Sequence, residues 1–577
     1  MSCLYTREKN AQMLIFLLKE SGIKKVVASP GNTNISFIGS IQNDPFFEIY
    51  SAVDERSAAY LACGLAEESG EIVVLSCTGA TASRNYLPAL TEAYYRKIPI
   101  LAVTSTQPTS RVGHNIAQVI DRSVIQNDVV KLSVTLPVIK DDEDLWDCEI
   151  KLNQAILELT RNGGGPVHIN LPTTFTLPFD VKKLPTFRKI ERITKHSTLP
   201  ELKGKVAVFI GSHKKWSIEE TESLDKFCAS NNAVVLCDHS SGYRGKYRIL
   251  SSLIGFQAFL NKTDLKPDVL IHIGEITGDY SISNLIGGNI WRVNEDGEIK
   301  DTYRKLRYTF EMSEKEFFES YSKSVELESS YYTKFKDIQY KLSENIPEIP
   351  FSNIWTASIL SNKLPMGCFI HFAILNSLRS WNFFELDSSI STTANVGGFG
   401  IDGPLSTVIG SSLVNSERTY FCVVGDLAFF YDMNALGNRH VGKNLRILLI
   451  NNGKGTEFKN YDHHASYFSS TSDDFISAAQ HFGNKSGDLV KNYVENLGLK
   501  YLSANNKEEF LNVSEEFTDS SKSDSSIVLE VFTNDVDESH ALKLMHNIIV
   551  DKDLKLKKQA KNIIGTKGLK LVRKIRG

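Results

Sequence analysis

The chain has 577 residues, a net charge of −3 and eight cysteines. That length implies roughly three or four domains at the usual ~150 residues each, every one large enough for its own core, and the near-neutral balance excludes a general polyanion binder, nucleic acid included. Cys3, Cys63, Cys77, Cys148, Cys228, Cys237, Cys368 and Cys422 have no CxxC spacing and mostly sit among apolar or small residues, which reads as buried thiols of a reducing cytosol rather than disulfides or zinc ligands.

In chain order, YTREKNAQMLIFLLKESG reads as a charged helix whose longest apolar run, MLIFLL, is too short for a targeting signal. No run approaches the ~18 apolar residues of a membrane span, so a cytoplasmic location is expected. Strand-like apolar runs then alternate with helical stretches in three successive blocks, the pattern of doubly wound parallel sheets in an α/β protein. The first block, residues 1–185, contains VVASPGN, then EIYSAVDERSAAYLACGLAEESG with Glu55 opening a small-residue helix, and closes on GPVHINLP before a polar linker. The second, residues 200–345, holds VAVFIGS, NAVVLCD and VLIHIGE. FIGSHKK and IGEITGD lack the GxGxxG spacing that brings helix amides onto a pyrophosphate, so no flavin or dinucleotide is expected there. The third, residues 349–550, holds CFIHFAI, YFCVVGD, RILLINN and SIVLEVF.

In the third block one buried strand ends in Gly425-Asp426 and the next in Asn451-Asn452. Mg²⁺ takes hard oxygen ligands, usually one or two from side chains with the rest from substrate phosphates and water. Asp426 supplies a carboxylate, Asn452 an amide oxygen and Lys454 a backbone carbonyl, while Gly425, Gly453 and Gly455 let the backbone approach a phosphate closely. Ordinary turn chemistry in a βαβ crossover is the competing explanation.

The stretch GDLAFFYDMNAL…NNGKG resembles the GD…NN signature of thiamine diphosphate (ThDP) enzymes. VVASPGN, DERSAAYLACGLA, SCTGATASRNYLPALTEAYY, WRVNEDGEIKDTYRK and NVGGFGIDGPLSTVIG extend the likeness over most of the chain, nearest to the SEPHCHC synthase branch of menaquinone biosynthesis. The resemblance implies pyrimidine-binding, central and diphosphate-binding domains in that order, with ThDP and Mg²⁺ as cofactors. It implies that Glu55 bonds the pyrimidine ring and promotes proton removal from the thiazolium. It also implies that Ile401 wedges between the two rings, that the Phe399 carbonyl accepts from the pyrimidine amino group, and that Leu427, Ala428 and Gly455 join Gly425 around the diphosphate. The site would form between subunits, so a homodimer at minimum is implied, with a tetramer open.

The departures bear on substrate. The branch handles 2-oxoglutarate and isochorismate, and reads their carboxylates with arginines. At the matching positions this chain has Thr33, Gln107, Trp381 and Val396. Each lost charge-assisted contact costs roughly 1.5–3 kcal/mol, unless Arg84, Arg111, Arg122 or Arg379 reaches in. The expectation is therefore a smaller donor such as pyruvate and an acceptor carbonyl or enone recognised by hydroxyl and aromatic contacts. Trp381 would stack on a ring or sugar face, with Asn32, Asn115, Gln118 and Ser377 contributing polar contacts. His114 is a candidate proton shuttle, because imidazole titrates near neutrality.

A carboligase is the leading reading. SEPHCHC synthase and a simple 2-oxo acid decarboxylase are the alternatives, and a non-catalytic scaffold is disfavoured by the intact Glu55, Ile401, Asp426 and Asn452. HHASYF, from His463, reads as a lid over the site. The tail 551–577 is basic and amphipathic, with ten Lys or Arg from Lys552 onward against Asp553; a solvated end is preferred to membrane contact.

Overall fold

The computed structural model describes residues 4–479, 486–519 and 524–549, so Cys3 and the basic tail lie outside the described residues. The chain divides into two compact units, Met1–Ser197 with Gly297–Glu311, and Thr198–Asp296 with Met312–Gly577.

In the first unit, β1 (Lys25–Ala28), β2 (Glu48–Ser51), β3 (Val73–Thr78), β4 (Ile100–Thr106), β5 (Leu132–Thr135) and β6 (Val167–Pro172) form a parallel sheet in the order β2-β1-β3-β4-β6-β5. β4 and β6 are buried along their whole length, because a parallel sheet has helices on both faces. One face is covered by helices Lys9–Glu20 and Asp142–Glu158, the other by Glu55–Ser69 and Leu87–Arg96. Helix Glu55–Ser69 buries Ala58, Ala59, Ala62, Cys63 and Ala66, a stripe at helical spacing whose small side chains let it lie close to the sheet. Asp54 caps its start by accepting from Arg56 N and Ser57 N, and Gly70 ends it in the left-handed region at φ 67°.

β7 (Glu191–Thr194) also belongs to this unit. In the second unit, β8 (Val206–Ile210), β9 (Val234–Cys237), β10 (Arg248–Leu250), β11 (Val269–Ile273) and β12 (Asn289–Asn294) are parallel in the order β10-β9-β8-β11-β12. β13 (Leu306–Glu311) pairs parallel with β7 inside the first unit.

The last sheet comprises β14 (Phe369–Phe372), β15 (Ser391–Ala394), β16 (Tyr420–Gly425), β17 (Leu445–Asn451), β18 (Lys500–Ala504) and β19 (Ile527–Phe532), in the order β15-β14-β16-β17-β19-β18. Its pairs are all parallel, and the connection pattern repeats that of the first sheet strand for strand. The expected α/β architecture of doubly wound parallel sheets in three domains is thus present. In both six-stranded sheets the order reverses between the first and third strands, and ligands of such sheets bind beyond the strand carboxyl ends at that reversal.

The seven cysteines among the described residues are all buried and unpaired. Among those residues no helix is long and apolar enough to cross a membrane.

Candidate functional site

β16 and β17 lie side by side, Gly425 opposite Ile450, so Asp426 and Asn452 emerge together at the carboxyl edge. Asp426 begins helix Asp426–Asp432 and is 2% exposed. Its two carboxylate oxygens accept from Leu427 N and Gly453 N, both at 2.7 Å. The second bond fastens the two strand ends together, and it exists because Gly453 adopts φ +77°, a conformation that favours glycine. Asn452 donates through Nδ2 to Thr456 Oγ1 at 3.2 Å, while its Oδ1 is buried with no hydrogen-bond partner. A buried, unsatisfied amide oxygen is costly unless something fills its place. A hard cation held by Asp426 and Asn452 would satisfy it, and the donor set is the oxygen-only chemistry that Mg²⁺ prefers.

A cavity opens over this edge at the β14/β16 reversal, lined among others by Ile374, Ser377, Ile401, Asp426, Asn452 and Lys454. Gly425, Leu427, Ala428 and Gly455 line it as well, which places the whole expected diphosphate set in one cleft. Lys454 turns its ammonium to Asp473 Oδ2 (3.1 Å) and Asp535 Oδ2 (3.3 Å), a position in which the side chain braces the loop. Ile401 is half-buried against the apolar core beneath the helix Pro404–Ser412. Phe399, two residues earlier, is held at φ 53°; strain of this kind in a non-glycine residue persists where the surroundings over-determine it, commonly at sites.

The first unit carries the other half of the expected constellation. Glu55 is half-buried at the first turn of its helix, next to the exposed Asp54 cap. At the reversal of that sheet Gly31 passes so close to Thr78 that a Cβ on it would stand 2.6 Å from Thr78 Cβ, which leaves only glycine at that crossing.

Residues 8–125 match the family described as thiamine pyrophosphate enzyme, N-terminal TPP binding domain. The chain is 31% identical over 564 residues to a 2-succinyl-5-enolpyruvyl-6-hydroxy-3-cyclohexene-1-carboxylate synthase of Bacteroides thetaiotaomicron, an alignment covering 94% of this chain and 98% of that protein. A protein of the same name from Phocaeicola vulgatus is 30% identical, over 95% of this chain and 100% of that one. The chain belongs to the SEPHCHC synthase family of ThDP enzymes.

Against that family, the four positions expected to carry arginine divide. Thr33 is buried, its hydroxyl donating to the Ser105 carbonyl at 2.9 Å and bonded to Thr78 Oγ1. Gln107 is half-buried and accepts from Arg111. Trp381 is 1% exposed and packs on Phe372 with ring centroids 5.5 Å apart. Its expected role as a stacking platform is corrected: an indole enclosed in the core has no face to offer. Val396 is likewise buried, and its expected substrate contact is corrected on the same ground.

Asn32, His114, Asn115 and Gln118 are exposed, with Asn115 at φ 55° and Gln118 at φ 63°. Of the arginines that could have compensated, Arg122 is buried, donates to Asn170 and keeps Nε and Nη1 without partners. Burial, with the like charge of Arg84 adding to it, pulls its guanidinium down to about 10. Arg84 donates to the Asp121 carbonyl at 3.0 Å. Arg379 is paired with Glu457, two residues after Gly455, and lies 5.1 Å from the Tyr280 ring centroid.

Sequence reasoning missed Glu457 and Glu538. Glu457 follows the loop after Asn452 and faces Arg379 and Asn376. With the Asn376 amide oriented to suit its neighbours, Nδ2 donates to Glu457 Oε2 at 2.8 Å. Glu538 lines the same cleft. Burial pushes its carboxyl up to about 7, against the bonds it accepts from Thr533 Oγ1 (2.7 Å) and Asn353 N (2.9 Å). Glu457, two residues after Gly455, was visible as sequence; that Arg379 answers it is a tertiary fact. HHASYF runs into a 3-10 helix, His464–Ser472, with His463 Nδ1 accepting from Ala465 N at 3.1 Å.

Proposed function

We propose that the chain is a ThDP- and Mg²⁺-dependent carboligase that decarboxylates a 2-oxo acid and transfers the acyl unit to an acceptor, with the family's own reaction, 2-oxoglutarate onto isochorismate, the first to expect of it. The near full-length likeness to synthases of that name supports this reading. The observation that carries it is the Asp426–Asn452 edge with its orphaned amide oxygen.

When bound, ThDP supplies the carbanion that attacks the keto carbon and the electron sink for departing CO₂. This chain's residues do the rest. Asp426, Asn452 and the Lys454 carbonyl would hold Mg²⁺. Gly425, Leu427, Ala428 and Gly455 leave room for the diphosphate. Ile401 would pack against the cofactor, and the Phe399 carbonyl would accept from its amino group. Glu55 would hold or release a proton toward the pyrimidine ring when the cofactor is bound, general acid–base chemistry worth about 10²–10⁴-fold. Glu55 of one copy would serve the Asp426 edge of another, which makes the working unit a homodimer. His114 and Gln118 are the candidates for handling the acceptor's proton.

A smaller donor such as pyruvate is the second reading, favoured by Thr33, Gln107, Trp381 and Val396 at the arginine positions. Release of CO₂ from carboxyl-labelled 2-oxoglutarate and pyruvate, with ThDP, Mg²⁺ and isochorismate, separates the two. Turnover of 2-oxoglutarate that falls at least 100-fold in Glu55→Gln is the expected result. Turnover of pyruvate alone would transfer support to the second reading, and full activity in Glu55→Gln would overturn both.

A further inference from the structure

Two residues of the short helix Asn376–Trp381 meet different surroundings, because two positions turn an α-helix by about 200°. Trp381 goes into the core against Phe372, where its Nε1 is enclosed without a partner. Arg379 instead lines a cavity of about 440 Å³, within the size range of small-molecule sites. Asn376, Glu457 and Glu538 line both this cavity and the Asp426–Asn452 cleft, so the two spaces share a polar wall.

The bonds that hold the guanidinium do not use it up. Nε donates to the Gly278 carbonyl at 3.2 Å and Nη1 to Glu457 Oε1, while the Tyr280 ring lies against it, 5.1 Å to the centroid. Of its five N–H donors three remain. Two of these are on Nη2, which makes no hydrogen bond among the described residues and, unlike Trp381 Nε1, is not enclosed.

Glu457 is fastened from its own side. Its Oε2 accepts from Asn376 Nδ2 at 2.8 Å and from Asn460 Nδ2 at 3.3 Å. It therefore acts on Arg379 in two opposed ways: it fixes the direction of the guanidinium, and it subtracts from the charge. The two side chains are only 18% and 16% exposed, so water screens them little. Asp462, another carboxylate on the wall, is 50% exposed and its charge is screened. Glu538, raised to about 7, carries only part of its charge at neutral pH.

We propose that Arg379 is the specificity-determining residue of this site: its unused N–H groups receive a carboxylate that the substrate keeps through the reaction, and Glu457 sets how tightly. A planar two-oxygen anion is what a guanidinium fork matches, and Trp381 and Val396, both buried, supply no such contact. The carboxylate is the far one of a dicarboxylic donor or that of a ring acceptor, the same chemistry from two sources. Its belonging to a substrate rests on the carboligase reading; its capture by Arg379 does not.

The test is saturation-transfer NMR on the full chain, without ThDP or any 2-oxo acid, with glutarate as the chain-like carboxylate, benzoate as the ring-like one and glutaramide as the neutral isostere. At least one of the two anions is expected to bind the wild type and to weaken tenfold or more in Arg379→Met, the loss of a charge-assisted fork, and less in Arg379→Lys, which keeps the charge without the fork. The same anion should bind at least threefold tighter to Glu457→Gln, which keeps an acceptor for Nη1 and removes the competing charge. That gain cannot come from a damaged fold, and a pair that serves only structure would lose binding in both variants. A response to glutarate assigns the contact to the donor, and a response to benzoate assigns it to the acceptor. Absence of binding by either anion, undiminished binding to Arg379→Met, weaker binding to Glu457→Gln, or an equal loss of glutaramide in Arg379→Met would each overturn the proposal. Because the measurement needs no catalysis, a failed CO₂ assay with intact Arg379-dependent binding would sink the carboligase reading alone.

Discussion

Glu538 shows how one side chain can set a pH response. Its carboxyl is held at about 7 against an ordinary value of 4.5, with desolvation outweighing the bonds from Thr533 and Asn353. A carboxyl raised on folding stabilises the fold while protonated. That contribution is whole below the unfolded value and is lost as pH climbs through 7, a decline of up to about 3 kcal/mol. Thermal unfolding followed from pH 5 to 8 should show the wild type losing stability with rising pH and Glu538→Gln losing much less. Parallel curves for the two proteins would refute the assignment. His546 acts with the opposite sign at lower pH, since its depressed value of about 4 makes acidification below the usual imidazole range destabilising. Neither residue announced itself in the sequence, where DVDESHALKLMH reads as an ordinary polar helix. By contrast the placing of Asp426 and Asn452 at strand ends was legible, because each comes just after an apolar run, FCVV and LRILLI, that reads as a strand buried on both faces. Trp381 was misjudged for a related reason: a tryptophan at a matched position reads as a substrate contact until the packing of Phe372 on it is seen.

At the scale of elements, two glycines illustrate different demands. Gly453 must hold φ +77°, yet a Cβ there would meet nothing within 4 Å. Gly31 has ordinary φ but no room, with Thr78 Cβ 2.6 Å away. Gly453→Ala should therefore cost about 1 kcal/mol through backbone strain alone, and Gly31→Ala more, through displacement of β1 against β3. Melting temperatures of the two variants would check the ranking, and a larger loss in Gly453→Ala would contradict it. Strand identities and their sequence of blocks were readable from periodicity, and helix Glu55–Ser69 from its alanine stripe. The strand order was not, since nothing local in VVLSCT or ILAVTST says which neighbour each will take.

For the molecule as a whole, the repeated order β2-β1-β3-β4-β6-β5 and β15-β14-β16-β17-β19-β18 gives two sheets with equivalent reversals; the Asp426–Asn452 edge stands at the second, and Glu55 follows β2, the edge strand beside β1, in the first. Ligand linkage then offers a direct check: ThDP with Mg²⁺ at about 100 times Kd should stabilise the fold by roughly 2.7 kcal/mol, read as a rise in melting temperature. The rise should vanish with a chelator and in Asn452→Ala, and an equal rise in that variant would remove Asn452 from the metal site. A cavity of about 440 Å³ lined by Tyr280, Arg379, Glu457 and His546 escaped sequence reading because these residues come from four distant segments that only the fold assembles. The seven buried thiols carry a corollary at this same scale. Burial pushes Cys63 up to about 11 and Cys77, Cys237 and Cys368 up to about 12, with Cys148, Cys228 and Cys422 also raised. Thiolate is the reactive form, so in the folded chain these sulfurs are chemically silent, and the rate at which an alkylating reagent reaches them becomes a clock for how often each domain opens.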